Sequence, residues 1–140
     1  MERVLIAVAL AVVVLVAAWL LQRRRPEAPT QRRWAVPDQL DRSDFDRPDA
    51  PWLIAVFSSA TCDSCAQAVE KANLLAGPDV AVQEVELSTR GDLHSRYHVD
   101  AVPMVVVADG DGVVRASYVG PPPAAELWAT FADLREAEAG

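Results

Sequence analysis

The chain has 140 residues, 51% hydrophobic and 24% charged, with a net charge of −7 and two cysteines. The charge is split: residues 1–33 hold six Arg against Glu2 and Glu27 (+4), while residues 34–140 hold seven basic and eighteen acidic residues (−11). An acidic domain lacks the basic face that phosphate binding needs, which sets nucleic acid aside as a partner, and two cysteines are too few for a disulfide scaffold.

Residues 1–3 are a short tail. Residues 4–21, "VLIAVALAVVVLVAAWLL", are apolar without a break, at the lower end of the length a bilayer-spanning helix needs. The run continues through Trp19, Leu20 and Leu21 straight into Arg23, Arg24 and Arg25, which suits a single-pass transmembrane helix better than a cleavable signal peptide. Only Arg3 and the terminal amine, offset by Glu2, precede the run, whereas five Arg follow within twelve residues. The positive-inside rule therefore leans toward a cytoplasmic domain, with an extracytoplasmic one as the alternative. Residues 22–33, "QRRRPEAPTQRR", read as a basic, proline-containing linker. Residues 34–140 suffice for one domain with its own core.

Within that domain, "RWAV" ending at Val36 predicts a short strand, and residues 38–45 a weak helical turn. "PWLIAVFSS" (51–59) is the continuous apolar run of a buried central strand. Residues 62–76 have helical spacing and are stopped by Gly77-Pro78. Strands are expected at 80–87, 103–109 and 113–119, with a short helix at 91–99 and a hairpin at Asp111-Gly112. After Gly120 and prolines 121–123 comes an amphipathic helix that offers Leu127, Trp128, Phe131 and Leu134 to the core. Lys71 reads as a solvated helix residue. The order β-α-β-α-β-α-β-β-α predicts an α/β fold, a mixed central sheet flanked by helices. The helical crossovers imply parallel pairing and the hairpin an antiparallel edge.

The chemistry concentrates at "ATCDSC". A CxxC pair at a strand-to-helix junction is either a redox couple or half of a zinc site. His94 and His98, four apart, could complete the latter. However, twenty-eight residues separate Cys65 from His94, against about twelve in a zinc finger. A solvent-facing helix explains the two histidines more simply, and no metal is expected.

The apolar strand running into Cys62-Asp63-Ser64-Cys65, the "DAVPM" that opens a later strand, the Asp111-Gly112 hairpin and "YVGPPP" before the last helix together resemble the thioredoxin-like family, over roughly residues 51–135. The resemblance implies a thioredoxin-like fold and a thiol–disulfide oxidoreductase, here anchored to the membrane. Its substrates would be protein thiols and disulfides, served by an unidentified redox donor and no bound cofactor. Cys62 matches the nucleophile, whose thiolate a helix N-terminus stabilises, and Cys65 matches the resolving thiol. Pro103 matches the family's cis-proline, which would place the Val102 backbone to pair with an extended substrate.

The sequence also departs from the family. Thr61 replaces the usual Trp, and Asp63-Ser64 replaces Gly-Pro. The three are candidate tuning residues: Ser64 loosens the turn, and the Asp63 carboxylate disfavours a neighbouring thiolate, which points to a more reducing couple. Val56 stands where a buried Asp usually moves protons. Glu84 aligns with a buried lysine and could accept the Cys65 proton, although an exposed edge-strand Glu is the simpler reading. The missing helpers leave open a second function, a redox-sensing or interaction module without efficient turnover.

Overall fold

A run of seven residues without a single charge can be covered on both faces, and that decides the architecture. The computed structural model describes residues 34–140, together with residues 1, 6, 10 and 12–16. Most of the expected transmembrane helix and the whole linker lie outside the described residues. Residues 12–16 are helical, and no helix among the described residues is long and apolar enough to cross a membrane.

The elements are β1 (Trp52–Ser58), α1 (Cys65–Asn73), β2 (Val80–Glu86), α2 (Leu87–Arg96), β3 (Met104–Ala108), β4 (Val114–Val119) and α3 (Ala124–Ala139), preceded by a 3₁₀ turn at Arg42–Asp44. Every residue of β1 is buried. It is an inner strand of a four-stranded sheet ordered β2-β1-β3-β4, parallel to β2 and antiparallel to β3, with β4 antiparallel to β3. Alternate β1 side chains feed two cores. Leu53, Ala55 and Phe57 pack with Leu93 and Tyr97 of the α2 side. Trp52, Ile54 and Val56 pack with Ala68 and Ala72 of α1 and with Leu127 and Phe131 of α3. The Trp52 and Phe131 rings meet edge to face at 5.4 Å, a geometry that the ring quadrupoles favour.

Several expectations are corrected. Residues 34–36 form no strand: beyond Pro37 the chain makes an isolated bridge, Gln39 to Val113, with Leu40 N–H donating to the Gly112 carbonyl at 2.8 Å. The crossover through α2 does not produce parallel pairing. That helix has ten residues and kinks at Arg90, and the chain returns to the end of the sheet it left, so Met104 starts β3 beside Phe57. The first helix begins at Cys65 rather than Cys62. Trp128 is exposed at 40%, whereas Leu127 and Phe131 are buried. Lys71 is not simply solvated, because its Nζ donates to the Pro122 carbonyl at 3.0 Å and ties α1 to the segment before α3.

The β3–β4 turn requires glycine at position 112. Its φ is +82°, and an added Cβ would stand 2.0 Å from the Leu40 carbonyl oxygen. Gly112→Ala is expected to destabilise the domain by about 3 kcal/mol, from the left-handed backbone and the backbone clash together. Thermal unfolding followed by circular dichroism would read this as a fall of at least about 10 °C in Tm. A change of a degree or two would contradict it.

Candidate active site

β1 ends at Ser58, and the chain then turns through residues 59–64 before α1 begins. Within that turn Cys62 N–H donates to the Ser59 carbonyl at 3.1 Å and Cys65 N–H to the Cys62 carbonyl at 3.3 Å. These two bonds bring the cysteines together. Cys62 and Cys65 form a disulfide with Cα atoms 5.4 Å apart, within the range a disulfide spans. Cys62 is half-buried, while Cys65 is 3% exposed. The N-cap of α1 is Ser64, which makes no side-chain capping bond. The positive end of the helix therefore faces the cysteine turn, the electrostatic setting that favours a thiolate. Ser64 Oγ lies 3.8 Å from Cys62 Sγ. Thr61 and Asp63 are exposed.

Two glutamates of β2 brace the turn. In the parallel register Glu84 is level with Val56 and Glu86 with Ser58, on the sheet face that α1 covers. Glu86 Oε1 accepts from Ala60 N–H at 3.1 Å, and Oε2 accepts from Ser88 N–H at 3.0 Å and from the Ser88 hydroxyl. The Ser88 hydroxyl and N–H, with the Ala60 N–H, hold the Glu86 carboxyl below its usual range. The same side chain thus caps α2 and holds the cysteine turn. Glu84 is exposed, as expected of an edge strand, but it is not idle: the buried Ser58 hydroxyl donates to its Oε1 at 2.6 Å. Glu84 also helps to form a cleft of about 610 Å³ whose walls include Cys62, Cys65, Ala66, Val69 and Glu70. Ser58 gave no signal in the sequence beyond being the first polar residue after an apolar run.

The Val102–Pro103 peptide is cis. Val102 is half-buried and Pro103 buried. Because Met104 pairs with Phe57, Pro103 follows in register opposite Ser58, at the end of the sheet from which the cysteine turn departs. The Pro103 carbonyl is taken by Gly120 N–H at 2.8 Å. The histidines stand differently from the expectation. His94 is buried, with Nε2 2.8 Å from the Val85 carbonyl oxygen and its ring edge-on to Phe57. His98 lies beyond the helix end, exposed, with φ +53°. They share no helical face, and among the described residues no cluster of three or more His, Cys, Asp or Glu side chains could hold a metal ion.

No protein-family model matches the sequence, and no curated protein does. Solved structures do match. A point mutant of the thioredoxin of Halobacterium salinarum superimposes with a TM-score of 0.51 at 27% identity, covering 57% of this chain and 71% of that one. The thioredoxin of Fasciola hepatica gives 0.53 at 22% identity, covering 61% and 83%. Mitochondrial thioredoxin 3 of Saccharomyces cerevisiae, in its oxidized form, gives 0.50 at 22%, covering 59% and 79%. The fold is thioredoxin-like. With a disulfide-forming CxxC pair at the first helix of that fold, the thioredoxin-like domain has the parts for thiol–disulfide redox chemistry.

Proposed function

We propose that the chain is a membrane-anchored thiol–disulfide oxidoreductase that reduces or exchanges disulfides in protein partners through Cys62 and Cys65. The observation that carries this reading is the pairing of a half-buried Cys62 with a buried Cys65 at an uncapped helix N-terminus. In the dithiol state the Cys62 thiolate attacks a partner disulfide, forms a mixed disulfide and expels one partner thiolate. Cys65, deprotonated, then attacks Cys62 Sγ, closes the intramolecular disulfide and releases the second partner thiolate. Two electrons pass to the partner, and a separate donor restores the dithiol. The Val102 backbone and Pro103 hold the extended partner segment beside the sulfurs. Thr61, Asp63 and Ser64 tune the couple. The basic segment after the apolar run favours a domain on the cytoplasmic side, and alkaline phosphatase activity from a C-terminal fusion would overturn that side.

The deciding experiment is insulin reduction by dithiothreitol with and without the full chain. Acceleration that disappears in Cys62→Ser supports the oxidoreductase. No acceleration supports the second reading, a redox-sensing module, which the fully buried Val56 favours because it puts an apolar side chain where the resemblance expects a proton-moving Asp. Equilibration with glutathione then assigns direction: a potential near −270 mV marks a reductase and one near −120 mV an oxidant (both approximate).

A further inference from the structure

Cys65 is 3% exposed, so its thiol has little direct contact with bulk water for the proton it must lose when it attacks the mixed disulfide. It needs an acceptor in the cleft that both cysteines line. Val56, in the core under α1, is apolar. Five groups are relevant on the elements around the cleft. Asp63, in the turn before α1, is exposed and is not among the residues that line it. Glu86 is engaged by Ala60 and Ser88, and Lys71 by the Pro122 carbonyl. Glu70 of α1 and Glu84 of β2 remain, both lining the cleft. Only Glu84 is fixed by a buried partner, the Ser58 hydroxyl, through Oε1. This leaves Oε2 available to the cleft.

We infer that Glu84, positioned by Ser58, accepts the Cys65 thiol proton during the resolving step. The inference rests on the oxidoreductase reading above. The step balances simply. The Cys65 S–H bond breaks and its proton passes to the Glu84 carboxylate, directly or through water in the cleft. The Cys65–Cys62 bond forms, the bond from Cys62 to the partner sulfur breaks, and the partner leaves as a thiolate. Glu84 then returns its proton to solvent, to which it is exposed. Glu84 takes no part in the first attack, which needs no proton from Cys65.

The test is stopped-flow mixing of the reduced full chain with 5,5′-dithiobis(2-nitrobenzoate), which releases one thionitrobenzoate when Cys62 attacks and a second when Cys65 resolves. In Glu84→Gln the second phase should slow by roughly ten- to a hundredfold near neutral pH while the first is unchanged. The deficit should shrink as pH rises and hydroxide replaces the carboxylate. Glu84→Asp should recover most of the rate, and Ser58→Ala should show a partial loss confined to the second phase. Equal second phases in wild type and Glu84→Gln at all pH values overturn the inference. So does equal slowing of both phases, which marks a distorted turn, and so does a loss found in Glu70→Gln instead. If wild type shows both phases with the Glu84 dependence but does not reduce insulin, the proton transfer stands and the oxidoreductase reading falls.

Discussion

Cys65→Ser should turn the protein into a trap. The Cys62 thiolate still attacks a partner disulfide, but the mixed disulfide has no internal thiol to resolve it and persists until an external thiol arrives. Well-oriented intramolecular groups act at effective concentrations of about 10⁵ M or more, against millimolar external thiol. Even if imperfect alignment of the sulfurs forfeits most of that advantage, turnover in insulin reduction should fall by at least about a thousandfold. Intact-mass spectrometry should find the partner on Cys62 in a large fraction of the protein. Cys62→Ser should give neither turnover nor adduct, because Cys65 is 3% exposed and cannot meet a folded partner. Adducts of similar yield in the two variants would reverse the assignment of attacking and resolving thiols.

Both cysteines and the strand–turn–helix that joins them were legible because each has a strong local cause. A seven-residue buried strand announces itself as an apolar run, and CxxC has a spacing that few other chemistries use. The antiparallel placement of β3 was not legible. Whether a chain returns to the near or the far end of a sheet depends on the length and kink of α2, and the non-helical backbone at Arg90 leaves no mark in composition. The sequence places the start of α1 three residues too early for a related reason: Thr61, Asp63 and Ser64 are all good capping residues, and only the bonds from Cys62 N–H to Ser59 and from Cys65 N–H to Cys62 decide among them. His94 looked solvent-facing because polar residues surround it in sequence. Its burial comes from Phe57 and the Val85 carbonyl, both distant along the chain. Glu84 and Glu86 looked alike as alternating edge-strand residues, yet one bonds Ser58 and the other bonds Ala60 and caps α2.

Asp109→Ala should destabilise the domain severely. The Asp109 side chain is 6% exposed. It accepts from Asp111 N–H at 3.0 Å and Val113 N–H at 2.9 Å, and from Arg115 Nε at 2.7 Å and Nη2 at 2.6 Å. Arg42, 8% exposed, donates to the Asp109 backbone carbonyl at 2.9 Å, and the Asp109 and Asp49 carboxylates both favour its charge. Truncation leaves two N–H groups of the tight turn without their acceptor, unpairs Arg115, and removes one of the two carboxylates, with Asp49, whose charges favour the Arg42 guanidinium, at a cost of about 3 kcal/mol. The pH dependence has a definite sign. Burial pushes the Asp109 carboxyl up, but the Arg115 hydrogen bonds, the turn N–H groups and the Arg115 charge outweigh it and hold the group below its usual value. Its contribution is therefore fully present above the unfolded-state pKa of about 3.9 and is lost as pH falls through the lower folded-state value. Urea unfolding should show the gap between wild type and Asp109→Asn narrowing as the pH is lowered from neutrality to below that range. A gap that stays constant would mean the carboxylate charge contributes nothing and the turn hydrogen bonds, which Asn can partly keep, account for the whole effect.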